Sequence, residues 1–328
     1  MARALRIEFE GAIYHLLARG NARQRIFRSD ADREHFLLLL AQSLPRFGVE
    51  LHGFVLMANH FHLLAQTQRA NLSRWMHWVM VAYTVYANRR HQRSGHFFQG
   101  RYKSFLVEEG SYLLGLSRYL HLNPVRGMRL GSGNPMERRQ RLRAYRWSSY
   151  RGYAGLARPF DFVEESLVLG EFGGRAGGRR LAYRKFVEVG LTREIENPFQ
   201  AVRWQVVLGS ESFGQEMRDR LGRRHREGRE ITSLRRAARA TEPGKLLDKV
   251  AERYGVNPEI LTKGGQRGME ARNVAMWMLW EITALSLREI GEIFGGMDYA
   301  AVAQRIRRTR MSHDPKRAKA LLKQMSNV

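Results

Sequence analysis

The spacing of apolar and polar positions divides the first 127 residues into short strands and amphipathic helices. "GAIYHLLARG" predicts a strand closed by glycine. "DADREHFLLLLAQSLPRFG" predicts a helix with an aspartate cap, apolar residues at helical spacing and a terminating glycine. "VELHGFVLMANHFHLLAQ" predicts two strand segments about a break at Gly53. "NLSRWMHWVMVAYTVYANRRHQ" predicts a long helix with apolar residues at 72, 75, 76, 79, 82, 83 and 86. "RYKSFLVEE" reads as another strand, and "SYLLGLSRYLHLN" as a helix stopped by Pro124. The order β-α-β-β-α-β with a trailing helix is that of a split βαβ, ferredoxin-like sheet, which makes this part α+β.

Beyond it, "GSGNPMERRQRLRAYR" is polar and leads into "WSSYRGYAG", "AYRKFVEVGL" and "VLGSESFGQEMRDRL", a mainly helical region interrupted by glycine. "GRRHREGREITSLRRAARATEPG" has the charge and turn content of an exposed linker with a basic helical piece inside it. From Lys245 the pattern becomes all-helical. "KLLDKVAERYG" predicts one helix and "MEARNVAMWMLWEIT" a second with a core-facing apolar stripe. "SLREIGEIF" carries a capping box from Ser286 to Glu289. Gly295 and Gly296 mark a tight turn, and Asp298 caps "YAAVAQRIRRTR". Two short helices about a glycine turn, the second ending in arginines, form a helix-turn-helix pattern; any small helical bundle is the competing reading. The expected domains are 1–130, a helical extension at 131–221, a basic linker at 222–244, and an all-α helix-turn-helix domain at 245–328.

Composition narrows the partners. A formal net charge of +25 over 328 residues, with a hydrophobic fraction of 44%, implies real cores and a polyanionic partner, and points to nucleic acid. The basic residues spread over the whole length rather than massing on one amphipathic segment, which argues against a membrane surface. With no cysteine, disulfides, thiolate zinc sites and cysteine nucleophiles are excluded. "MARALRIEFE" lacks the apolar core of a signal peptide and no run reaches transmembrane length, so a bacterial cytoplasmic, nucleoid-associated location is expected.

The candidate chemistry begins in "VLMANHFHLLAQ". On a strand, residues two apart share a face, so His60 and His62 project together with Phe61 opposed. Two converging imidazoles can hold a divalent metal; two unrelated histidines on a half-exposed strand are the alternative. In "SRYLHLNPVR", Tyr119 and Asn123 are one helical turn apart. If that helix packs across the histidine strand, Asn123 can offer a carbonyl oxygen to the metal and Tyr119 a nucleophilic hydroxyl for a phosphodiester. Tyr112, on nearly the same face, is the nearest competing nucleophile. A residue before proline is biased away from helical geometry, so Asn123 is open to lying just past the last turn.

These segments together, "YHLLARGNARQRIF", "MANHFHLL", "GRYKSFLVE" and "YLLGLSRYLHLNPVRG", resemble the REP-associated tyrosine transposases of the HUH single-tyrosine superfamily over about residues 5 to 155. The resemblance implies that His60 and His62 are the HUH pair, Asn123 the third ligand and Tyr119 the nucleophile, with Mg²⁺ or Mn²⁺ bound. It implies action on single-stranded DNA near imperfect hairpins through a covalent phosphotyrosine. Arg19, Arg23, Arg25, Arg101, Lys103 and Arg126 lie in or beside these motifs and would track phosphates, with a solvated face as the competing reading. Phe97, Phe98, Tyr102 and Trp75 are candidates for base stacking, with core packing as the competitor.

"ARNVAMWMLWEITALSLREIGEIFGGMDYAAVAQRIRR" is similar to the DNA-binding domain of the bacterial replication initiator DnaA, a Trp-repressor-like helix-turn-helix, over about residues 245 to 325. It departs from that family where bases are read, having Met297, Asp298, Tyr299, Ala300 and Ala301 in place of an arginine-aspartate-histidine-threonine-threonine run. Duplex binding is implied, through Asp298, Tyr299, Arg305, Arg307, Arg308 and Arg310 on the recognition helix and Lys263 and Arg267 in the preceding loop. The function expected is a metal-dependent single-strand DNA endonuclease and strand transferase, monomeric or homodimeric, recruited by a duplex-binding domain. The alternative is a DNA-binding regulator with a catalytically silent HUH domain.

Overall fold

The computed structural model describes residues 7–126, 134–193, 195, 197–203, 206–226, 242–263, 269–283 and 285–312. The chain divides into two compact units, one spanning Glu8–Asn197 and a second that joins the chain up to Ile7 with the chain from Pro198 on.

The first unit is built on an antiparallel sheet. Strand β1 (Ala12–Arg19) is followed by helix α1 (Asp30–Phe47), strands β2 (Val49–Met57) and β3 (His60–Thr67), helix α2 (Leu72–Arg90), strand β4 (Lys103–Val107) and helix α3 (Ser111–Arg126). β1 lies centrally, paired with β3 on one side and β4 on the other, and β2 lies outside β3. This is the ferredoxin-like arrangement. Directly opposed residues of antiparallel strands share a face. Phe61 packs its ring 4.8 Å from Phe36 of α1, whereas His62 faces Tyr119 of α3 at 6.3 Å. Helices α1 and α2 therefore cover one face of the sheet and α3 the other.

Local details differ from the pattern in three places. The cap of α1 is Ser29 rather than an aspartate: its hydroxyl accepts from the Asp32 amide, and Asp32 returns the bond to the Ser29 amide at 2.9 Å. β2 does not break at Gly53 but bulges between Leu51 and Gly53, and the hairpin turns instead at Ala58 and Asn59. Pro124 does not stop α3, which continues to Arg126. A proline removes the amide that would bond the carbonyl four residues back, and here the Asn123 side chain takes over, donating to the Leu120 carbonyl at 3.2 Å.

The extension after α3 comprises α4 (Pro135–Ala144), α5 (Tyr150–Tyr153), α6 (Ser166–Leu169) and α7 (Ala176–Glu188). Its backbone covers the outer edge of β2: Leu56 donates to the Trp147 carbonyl at 2.9 Å and Glu164 to that of Leu51 at 2.8 Å. An open sheet edge is thereby closed. The extension also grips α3 through His121, fully buried, whose Nδ1 lies 2.6 Å from the Tyr183 hydroxyl and whose Nε2 lies 2.8 Å from that of Ser149. Burial pushes the His121 pKa down to about 3, so the ring bridges these hydroxyls as a neutral imidazole.

The second unit opens with short strands β5 (Val202–Arg203) and β6 (Val207–Leu208) and helix α8 (Glu211–Arg226). Helices α9 (Pro243–Tyr254), α10 (Pro258–Thr262), α11 (Glu270–Ile282), α12 (Leu287–Ile293) and α13 (Tyr299–Ser312) then pack around one core that includes Leu246, Val274, Trp277, Ile290 and Val302. Ser286 and Glu289 form the capping box of α12. Gly295 and Gly296 adopt φ of 78° and 74° in the turn between α12 and α13, a conformation open to glycine. Arg272 is buried and donates to the carbonyls of Leu261, Lys263 and Phe294, tying α10 and the turn to α11.

Candidate active site

The sheet register assembles the site. His60 stands opposite Arg19 on β1 and Met57 on β2, while His62 stands opposite Leu17 and Val55. Their rings are 5.1 Å apart, and the Tyr119 ring lies 6.3 Å from that of His62. The face-sharing expected of the H-x-H spacing thus holds, and α3 brings its tyrosine to it. The guanidinium of Arg126 stacks over the Tyr119 ring at 3.9 Å. Asn123, one turn after Tyr119, donates its amide nitrogen to the Tyr119 and Leu120 carbonyls at 3.0 and 3.2 Å. Carbonyls only accept, so the amide orientation is fixed and Oδ1 is the end left to meet another group.

Both histidines are neutral bases. Burial lowers the His60 pKa to about 4, with Arg19 adding to the effect. Burial puts His62 well below its ordinary value, and the neighbouring His15, His60, Arg19 and Arg126 all act in the same direction. The His60 Nδ1 lies 2.7 Å from Oδ1 of Asn59, whose own Nδ2 donates to the Arg23 carbonyl at 3.2 Å. That second bond fixes the Asn59 amide, so His60 donates from Nδ1 and keeps its lone pair on Nε2. Two neutral imidazoles and an amide oxygen are a donor set suited to a divalent cation. Among the described residues, no group of three or more His, Asp or Glu side chains forms a metal cluster.

Sequence reasoning missed two neighbours of this pair, His15 and Asn59. His15 is buried on β1, with Nε2 2.9 Å from Nδ1 of His62. Its signal was faint: a histidine inside an apolar strand, two residues from the register partner of His62. Asn59 directly precedes the pair and was visible only as a turn residue.

The cationic candidates distribute unevenly. Arg19 and Lys103 are exposed and lie in the register rows of His60 and His62. Arg23, Arg25, Arg101 and Arg126 are exposed as well. Arg23 and its neighbour Ala22 hold left-handed φ of 61° and 48°, in the loop that Asn59 anchors. The stacking candidates are not available for bases: Trp75, Phe97, Phe98 and Tyr102 are all buried, their apolar rings being worth more in the core. In the second unit, Lys263, Asp298, Arg307, Arg308 and Arg310 are exposed and Tyr299 and Arg305 half-buried. The Asp298 carboxylate caps α13, accepting from the Ala300 amide at 2.8 Å. Arg305 donates to the Met297 sulfur at 2.8 Å. Arg267 lies outside the described residues.

Residues 8–123 match the family described as transposase, IS200 like, and residues 243–308 match the bacterial dnaA protein helix-turn-helix. One stretch of the chain is thus similar to IS200-like transposases and a second stretch to the DnaA-type helix-turn-helix. The chromosomal replication initiator DnaA of Thermus thermophilus is 38% identical over 69 residues, covering 20% of this chain. That of Picosynechococcus sp. is 44% identical over 63 residues, covering 18%. The chain spans only 16% and 14% of the length of those relatives. A solved structure described as a REP-associated tyrosine transposase bound to a REP hairpin aligns with a TM-score of 0.39 at 13% identity, covering 50% of this chain and 98% of that one. The span that the transposase model matches contains His60, His62, Tyr119 and Asn123.

Proposed function

We propose that this chain is a single-strand DNA endonuclease and strand transferase that acts near hairpin or palindromic elements, brought to its locus by duplex binding of the second unit. The observation that carries the reading is the convergence of Tyr119 on His60 and His62, with Arg126 stacked on the tyrosine ring. His60, His62 and the Asn123 Oδ1 would hold Mg²⁺ or Mn²⁺. Such an ion withdraws charge from the non-bridging oxygens of a phosphodiester.

The residues themselves divide the remaining work. The Tyr119 hydroxyl oxygen attacks phosphorus and gives its proton to solvent. The bond from phosphorus to the 3′-oxygen breaks, and that oxygen leaves as a hydroxyl after taking a proton from solvent. The product is a 5′-phosphotyrosine on Tyr119, which preserves the energy of the diester for later attack by a 3′-hydroxyl. Arg126, over the ring, would meet the phosphate that the ring approaches. Arg19 and Lys103 would track the flanking phosphates. In the second unit, α13 would enter a duplex major groove with Tyr299 near base edges and Arg307 and Arg308 on phosphates.

The test is a covalent-adduct assay on single-stranded hairpin DNA with Mn²⁺. The Tyr119→Phe chain should bind the hairpin as the parent does and form no adduct. An adduct trapped on Tyr112 in the parent chain overturns the assignment of the nucleophile. No adduct under any condition, with duplex binding intact, favours the regulator.

A further inference from the structure

The geometry points to His15 as a positioning residue: its Nε2 lone pair accepts the Nδ1–H of His62, so that His62 presents a bare Nε2 on a ring 5.1 Å from that of His60. The inference rests on the metal reading above for which of the two rings owns the shared proton, since the short contact by itself leaves either tautomer open. The hydrogen bond itself stands without a metal.

A single proton lies between two ring nitrogens 2.9 Å apart, His15 Nε2 and His62 Nδ1. Either ring is able to own it, and the two choices have opposite consequences. If His15 owns it, His62 must carry its proton on Nε2 and has no lone pair to offer toward its neighbour. If His62 owns it, Nε2 is bare. For His60 the matter is decided by Asn59, whose fixed amide oxygen takes the Nδ1 proton and leaves Nε2 bare. The pair acts jointly only when His62 adopts the same tautomer. Among the described residues, it is His15 that meets the inner nitrogen of His62, and it does for that ring what Asn59 does for His60.

The His15 ring is also built to stay where it is. It is fully buried on the central strand, opposite Leu64 and Phe105. It stacks on His62 at 5.1 Å with planes 14° apart, and on Phe105 at 5.9 Å with planes 21° apart. A ring held this way cannot swing out to become a ligand itself. It can hold the angle of the ring in front of it, and a partner that fixes tautomer and orientation is worth about 10–100-fold in metal affinity.

The experiment uses the full chain, with Mn²⁺ followed by electron paramagnetic resonance. The parent should bind Mn²⁺ at a site that His60→Ala abolishes. His15→Phe keeps the stacking but offers no acceptor, and should weaken that site by about 10–100-fold. His15→Gln places an amide oxygen near the former Nε2 and should restore affinity to within a few-fold of the parent. Melting temperature and hairpin binding should be alike in all three. Parent-like Mn²⁺ affinity in His15→Phe overturns the inference. Nitrogen-15 NMR of the histidine-labelled parent chain, without metal, reads the tautomer directly. A proton on Nδ1 of His62 supports the inference and one on Nε2 overturns it. A parent that binds no Mn²⁺ while His62 carries its proton on Nδ1 would instead sink the metal reading and leave the positioning bond standing.

Discussion

In the proposed reading a proton and a cation would compete for the same nitrogens of His60 and His62. An ordinary histidine, with a pKa near 6.5, is mostly protonated at pH 5.5, and two such ligands would cost about a hundredfold in cation affinity there. Burial lowers His60 to about 4 and His62 well below its ordinary value, so neither takes up a proton in that range. Mn²⁺ affinity of the full chain should therefore change by less than about threefold between pH 7.5 and 5.5. Titrations at the two pH values check this, and a fall of tenfold or more would show that the histidines are ordinary. The H-x-H spacing announced the pair; nothing in it announced the shifts. Those arise from strands and helices closing over the rings.

At the scale of elements, the helix-turn-helix depends on a close approach. The Met297 carbonyl folds back over Gly291 of α12, where an added Cβ would lie 2.1 Å from that oxygen, and the Met297 amide donates to the Gly291 carbonyl at 2.9 Å. Gly291→Ala must push the turn away and tilt α13. Overpacking of this kind costs about 1–3 kcal/mol, enough to weaken duplex binding along with stability. A melt and a duplex titration of the variant test this; parent-like values in both would show that the turn yields freely. Aromatic stretches such as "HFFQGRYK" read equally well as stacking platforms and as core, because composition is the same in both. Only the packing of Phe97 against Tyr83 and Phe98 assigned them to the interior.

For the whole molecule, the buried histidines of the first unit set its acid limit. His15 and His121 have pKa values of about 3, and His62 lies well below its ordinary value. Below pH 6.5 the unfolded chain protonates these rings and the folded chain does not, so stability falls as pH drops. Each ring contributes about 1.4 kcal/mol per pH unit until its folded pKa is reached. Carboxylates lowered in the fold, such as Asp32 and Glu188, act only further down, near and below their ordinary range. The first unit's melting temperature should fall between pH 7 and 5, with uptake of protons on unfolding; a flat profile refutes it. The second unit should act alone on duplex DNA. Arg203 pairs in bidentate fashion with the capping residue Glu289 at 2.8 and 3.2 Å, so residues 198–328 are the fragment to express. It should bind duplex DNA with a steep salt dependence, flattened in Arg307→Ala and Arg308→Ala, while Tyr299→Ala changes sequence preference more than affinity. No affinity at low salt would make the unit a docking module.

The sequence by itself determined the order of strands and helices, the shared face of His60 and His62, the one-turn spacing of Tyr119 and Asn123, and the capping box of α12. All of these follow from short-range periodicity, which the local chain fixes. Sequence left the extension after α3 unread, because its role lies in hydrogen bonds that link Trp147 and Glu164 with β2, and Tyr183 and Ser149 with His121, contacts between residues far apart in the chain. It also misplaced the end of α3, since a proline is tolerated where a side chain covers the carbonyl it orphans. The partners of the histidine pair were likewise a matter of register. His15 meets His62 across 47 residues of sequence, because antiparallel pairing lays β1 beside β3 and burial denies both rings any water to turn to.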